Sequence, residues 1–163
     1  MKAKDLKVLI VLVTFFFSFQ SFAQKKESHE IVLHPDQYSG PIYVSGNDFP
    51  KGNIINMVDK WGGLAVVINE LPAGTDFAPL LKGLEDDLCQ VPHWGYLEKG
   101  KIRVIDKSKK EVTIEAGSVF YMPPGHNVIV DEDAKIIDFS PSDQMKDLNK
   151  HVLQKVAEME SGQ

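Results

Sequence analysis

A single cysteine, Cys89, stands among the 163 residues, so no internal disulfide can staple the fold. An odd cysteine in an exported chain is a buried small hydrophobe, a partner for another chain, or a metal ligand. Lysine and arginine number 18 against 23 aspartates and glutamates, for a formal charge of -5, and the two signs are interspersed. There is no basic stripe to neutralise a phosphate backbone, which excludes nucleic acid as an expected partner. Long apolar runs are also scarce. The one at the start, Val8 to Phe19, is followed by no second run of about 18 apolar residues, so no membrane span is expected beyond it.

That first run reads as an export signal. Lys2, Lys4 and Lys7 precede it, and Ser21-Phe22-Ala23 places small residues where a signal peptidase cuts. Residues 1–23 are therefore expected to be a signal peptide cleaved after Ala23, releasing a soluble periplasmic or extracellular protein. No cysteine lies near the cut to carry a lipid anchor. Residues 24–30 are polar and charged and are expected to stay flexible. The remaining segment, 31–163, is the size of one ordinary domain.

Within that domain the apolar runs are short and punctuated. Ile31 to Leu33, Pro41 to Val44, Ile54 to Val58 and the β-branched Leu64 to Ile68 predict strands, and Thr75 to Leu81 predicts an extended segment interrupted by Pro79. After Tyr96 the pattern predicts a meander: a strand to Leu97, a turn at Glu98-Lys99-Gly100, and strands Lys101 to Ile105, Glu111 to Ile114 and Ser118 to Met122. Two more, His126 to Val130 and Lys135 to Phe139, flank an acidic turn at 131–133. Many short strands with Gly and Pro turns predict an all-β sandwich or barrel.

The period changes at the end. Ser140 as N-cap, Pro141 at the first helical position and Asp143 in the first turn predict a helix over 141–160. Met145, Leu148, Val152, Val156 and Met159 line one of its faces, which must pack on the barrel or on another subunit.

Chemistry gathers in two stretches, Asp86 to Gly100 and Gly117 to Val128. The first holds Cys89, His93 and the adjacent carboxylates Asp86 and Asp87. The second carries a strand, the turn Pro123-Pro124-Gly125, and His126. Together they resemble the paired motifs of the cupin superfamily, and the segment Cys89-Gln90-Val91-Pro92-His93-Trp94-Gly95-Tyr96 is similar to that of a group of small single-domain cupins. The resemblance spans roughly Leu64 to Pro141. It implies a cupin-type antiparallel β-barrel, or jelly roll, closed by the C-terminal helix, and a metal held between the motifs.

Counted back from the turn glycine Gly100, the first-motif glutamate of the family falls on His93 and its two histidines on Cys89 and Asp87. The second-motif histidine falls on Val128, with His126 two residues earlier on the same strand face. Counting from Gly83 instead puts Cys89 and Val91 on the histidine positions. The family's own ligand set is absent, yet Asp, Cys and His are all zinc ligands. The resemblance thus implies a site of Cys89, His93, His126 and Asp87. Strand alternation from His93 turns Gly95 and Leu97 inward, leaving open volume beside His93, and turns Trp94 and Tyr96 outward against another layer or a second copy in a homodimer. Gly95 and Val128 are the expected ligand-pocket positions.

Three readings are compatible with these residues. One is a divalent-metal site, zinc above other metals because of its Cys and His donors, that binds or turns over a small oxygenated molecule. Another is a metal-free barrel binding a small ligand through His93 and His126, and the third a filled barrel with an accessory role. No residue is singled out as catalytic, because one barrel fold hosts enzymes and non-enzymes alike.

Overall fold

The computed structural model describes residues 43–52 and 54–162. The expected signal peptide, the segment 24–30 and the strand-like stretch Ile31 to Leu33 lie outside the described residues.

A hairpin of β1 (Met57–Trp61) and β2 (Leu64–Leu71) opens the sheet. β2 runs antiparallel to the second half of β6 (His126–Pro141), with Leu64 opposite Pro141 and Leu71 opposite Ala134. β6 then pairs along β3 (His93–Asp106), from Trp94 opposite Phe139 to Asp106 opposite His126. The other edge of β3 is shared: β5 (Ser118–Met122) covers its first half and β4 (Glu111–Glu115) its second. The sheet order is β1-β2-β6-β3-β4, with β5 also on β3. The class is antiparallel β with a C-terminal helix, as expected, and a jelly-roll barrel is consistent with it.

Two expected turns are not turns. Glu98-Lys99-Gly100 does not end a strand, because β3 runs unbroken for 14 residues, and the acidic segment 131–133 lies inside the 16-residue β6. The two strands bend together where their register shifts, between Leu97 and Ile102. Gly100 sits in this bend at φ +84°, where a Cβ would collide with the Asp133 carbonyl oxygen. A bulged glycine lets one strand leave β5 and join β4 without breaking its ladder to β6. Leu97 and Ile102, both fully buried, flank the bend and pack with Met122, Val130 and Ile136.

The segment expected to be extended at Thr75 to Leu81 lies along β6 from Thr75 to Phe77, with Asp76 bridging Ile129, and then turns into the short helix α1 (Ala78–Leu81). Pro79 lies in the first turn of α1, where its missing N–H costs nothing. The C-terminal helix α2 (Ser142–Ser161) starts one residue later than expected, with Pro141 at the N-cap and Ser142 Oγ accepting from the Lys60 backbone N–H. Met145 and Val152 are buried and Leu148 half-buried, whereas Met159 is exposed. α2 and α1 thus cover the inner face of the sheet, joining Ala65, Val67, Leu81, Cys89 and Val91 in a second core cluster. No helix among the described residues is long and apolar enough to cross a membrane.

Candidate metal centre

The loop bearing Cys89 is tied to the start of β6 by its backbone. Cys89 N–H donates to the His126 carbonyl at 2.8 Å, and Gly125 N–H donates to the Cys89 carbonyl at 2.7 Å. His93, first residue of β3, reaches the same place from across the sheet, because Trp94 pairs with Phe139 and its neighbour His93 faces inward. Cys89 Sγ lies 3.5 Å from His93 Nε2. The two imidazoles meet edge to face, ring centroids 5.3 Å apart. The ligand atoms of Cys89, His93 and His126 all lie within 4.8 Å of one another, so the structure brings together three of the four expected metal residues.

Asp87 is not with them. It is exposed in the 3-10 turn Glu85–Asp87 at φ +55°, and its Oδ1 accepts the Gly83 N–H at 2.7 Å. The carboxylate is occupied in capping its own turn, a competition that short Asp side chains win locally. Val91, the position favoured by counting from Gly83, is a buried core residue.

Each histidine has its Nδ1 tied. His126 Nδ1 donates to the Pro123 carbonyl at 2.6 Å. His93 Nδ1 donates to Ser140 Oγ at 2.8 Å and lies 3.3 Å from Asp138 Oδ1, to which the Ser140 hydroxyl itself donates. With hydrogen at Nδ1, the neutral ring presents its Nε2 lone pair, which is how histidines that hold metals are set by their outer partners. Asp138 and Ser140 were missed in the sequence. Ser140 reads as a helix cap, yet it is fully buried facing His93. The available signal was period two: Ile136, Asp138 and Ser140 occupy one face of a strand, and two of the three are polar.

The electrostatics follow from this packing. Burial by itself pushes the Cys89 thiol up, but the adjacent His126 and His93 imidazoles outweigh it and bring it from 9.0 down to about 6. Burial likewise disfavours a charged His93, and the Asp138 carboxylate with the Cys89 sulfur overcomes it, raising His93 from 6.5 to about 9. Both shifts favour a thiolate beside an imidazolium.

The three donors line a cavity of ≈110 Å³ between the sheet and the helices. Val128 is among the residues that line it. Gly95 does not leave open space: the Phe120 ring lies over its α-carbon, and Phe120 forms part of the cavity wall instead. Trp94 and Tyr96 face outward and are 45% and 40% exposed. Trp94 stacks on Tyr121 of β5 at 5.1 Å.

No family model matches the chain, and no curated protein matches it. Among solved structures it is similar to a cupin-2 domain containing protein from Shewanella frigidimarina, at 13% identity over 60% of this chain and 93% of that one, TM-score 0.42. It is also similar to a deletion mutant of oxalate decarboxylase from Bacillus subtilis, at 18% identity over 66% of this chain and 32% of that one, TM-score 0.43. A third likeness is to the iron(II) form of HppE, at 12% identity over 63% of this chain and 62% of that one, TM-score 0.46.

Proposed function

We propose that this chain is an exported small cupin that holds a divalent transition metal through Cys89, His93 and His126 and receives a small oxygenated molecule in the adjoining cavity. The observation that carries the reading is the pair of tied Nδ1 atoms, which directs both histidine Nε2 atoms to the same place as the only thiol. The donor set fits the group: one thiolate and two neutral imidazoles suit zinc and related borderline metals better than magnesium or calcium. A bound metal with an open position supplies Lewis acidity toward an oxygen of the guest. The chain supplies the rest. Asp138 and Ser140 keep the proton at His93 Nδ1, the Pro123 carbonyl does the same for His126, and apolar walls flank the donors. Elemental analysis of the mature protein tests this: about one transition-metal ion per chain is expected, and the Cys89→Ala and His126→Ala variants should lose it.

A second reading is favoured by the 3.5 Å contact between Cys89 Sγ and His93 Nε2, which satisfies both atoms without an ion. A protein that stays metal-free after loading would be a small-ligand barrel in which these groups act as hydrogen-bond partners.

Export and self-association complete the proposal. Cleavage after Ala23 is checked by N-terminal sequencing of protein from its native host, and retention of residues 1–23 would exclude it. A homodimer is proposed through the outer face of the sheet, where Trp94, Tyr96, Val119, Tyr121 and Phe139 are exposed side by side. Sedimentation equilibrium should give a dimer that Trp94→Asp dissociates, and a monomeric wild type would dismiss it.

A further inference from the structure

We propose that the guest of this cavity is a small monocarboxylate with a short aliphatic body, and not a sugar, a phosphate ester or a dicarboxylate. The inference rests on the metal-centre reading above and narrows it.

The cavity is divided in character. Cys89, His93 and His126 stand together, with Asp138 behind His93, so the polar groups that can receive a head group are concentrated in one place. The remaining wall is apolar apart from one amide, Asn69, and includes Val67, Leu71, Phe77, Leu148 and Val152. The Asn69 Oδ1 is already engaged, accepting from the Asn56 backbone N–H at 2.9 Å, which leaves only its Nδ2 group to meet a guest. A guest bearing many hydroxyls would leave most of them against hydrocarbon, and each unpaired hydroxyl lowers affinity by about tenfold or more.

Charge narrows the choice further. Neither lysine nor arginine lines the cavity among the described residues. A divalent ion on one thiolate and two neutral imidazoles retains a single positive charge, which matches one anionic head. A second carboxylate or a dianionic phosphate would enter with no cation to meet it and with Asp138 nearby.

Size sets the limit. The volume of ≈110 Å³ is smaller than the apolar protein cavities, about 150 Å³, that take up benzene, so an aromatic acid is too large for it. A short aliphatic acid fits this space, with its chain among Leu71, Phe77 and Leu148 and its head toward the donors.

The test uses the full-length mature protein loaded with cobalt(II), whose thiolate charge-transfer and visible bands report both metal binding and a change at the donors. Titration with propionate and isobutyrate should shift the visible bands to saturation, with affinities at least tenfold above that of succinate, and glucose should cause no shift. Leu148→Trp, which fills the cavity, should keep the thiolate band and weaken both monocarboxylates tenfold or more. If the thiolate band is present but succinate or glucose binds as well as propionate, or no monocarboxylate shifts the spectrum, the substrate class is wrong and the metal centre stands. If the thiolate band never forms, the metal centre and the inference built on it both fall. The wild-type titrations decide the matter whether or not the Trp variant folds.

Discussion

Cys89 and His126 are 37 positions apart in the chain and adjacent in space, joined by the 2.8 Å bond from Cys89 N–H to the His126 carbonyl. This bridge fixes the thiol beside the imidazole through the main chain, so the side chains meet without a long reach. The site is therefore built into the bridge at the start of β6, and its chemistry can be perturbed by single substitutions that leave that bridge intact.

The thiol should titrate far from its ordinary range in the metal-free protein. Cys89 is lowered from 9.0 to about 6, so ultraviolet thiolate absorbance is expected to appear with a midpoint near 6. His93→Gln removes a donor and a positive charge, and the midpoint should move back up toward 9.0. A wild-type midpoint at 9.0 would mean that the imidazoles do not act on the sulfur. The same shifts set a stability window. The depressed Cys89 contributes fully above 9.0 and loses its contribution as pH falls through about 6, whereas the raised His93 contributes fully below 6.5 and loses it as pH rises through about 9. Thermal stability of the metal-free protein should be greatest between those limits.

Metal binding should expel protons in a pH-dependent number. Ligation needs Cys89 as thiolate and His93 neutral. Between about 6 and about 9 the sulfur is already deprotonated and His93 still carries its extra proton, so that residue releases about one proton per ion. Calorimetry in buffers of different ionisation enthalpy measures this count. A count that does not fall as pH is raised past about 9 would contradict the assignment of the proton to His93.

Asp138 acts through His93. Asp138→Asn or Ser140→Ala should weaken metal affinity by roughly 10- to 100-fold while the ion-to-chain ratio at saturation is unchanged. Asp138→Asn should also lower the His93 pKa, readable by NMR of the ring, which a purely structural role would not do. Equal affinity in both variants would remove these residues from the site.

Gly95 is a packing position. A Cβ there would strike the Phe120 ring and sit 2.6 Å from the Ile137 carbonyl oxygen. Gly95→Ala is expected to destabilise the fold by about 1–3 kcal/mol in chemical denaturation, the cost of overpacking a closed core. A combined Gly95→Ala, Phe120→Leu variant should recover part of the loss, and no destabilisation in the single variant would show that the ring can move aside.

What the sequence determined by itself was local in origin. Period two along His93 to Leu97 was enough to send Trp94 and Tyr96 outward and His93, Gly95 and Leu97 inward, because neighbouring side chains on a strand must face opposite ways. The amphipathic face of α2 and the hairpin pairing Lys101 to Ile105 with Glu111 to Glu115 were legible for the same kind of reason. Tertiary structure decided the rest. That β3 and β6 each run unbroken through a bend depends on their pairing with one another, and a glycine with charged neighbours reads as a turn until a partner strand is present. Ser140 caps a helix in any local reading but serves His93, 47 positions away, because β6 buries its inner face against β3. Asp87 shares the motif spacing, yet its short carboxylate finds the Gly83 N–H within its own turn before it can reach the donors.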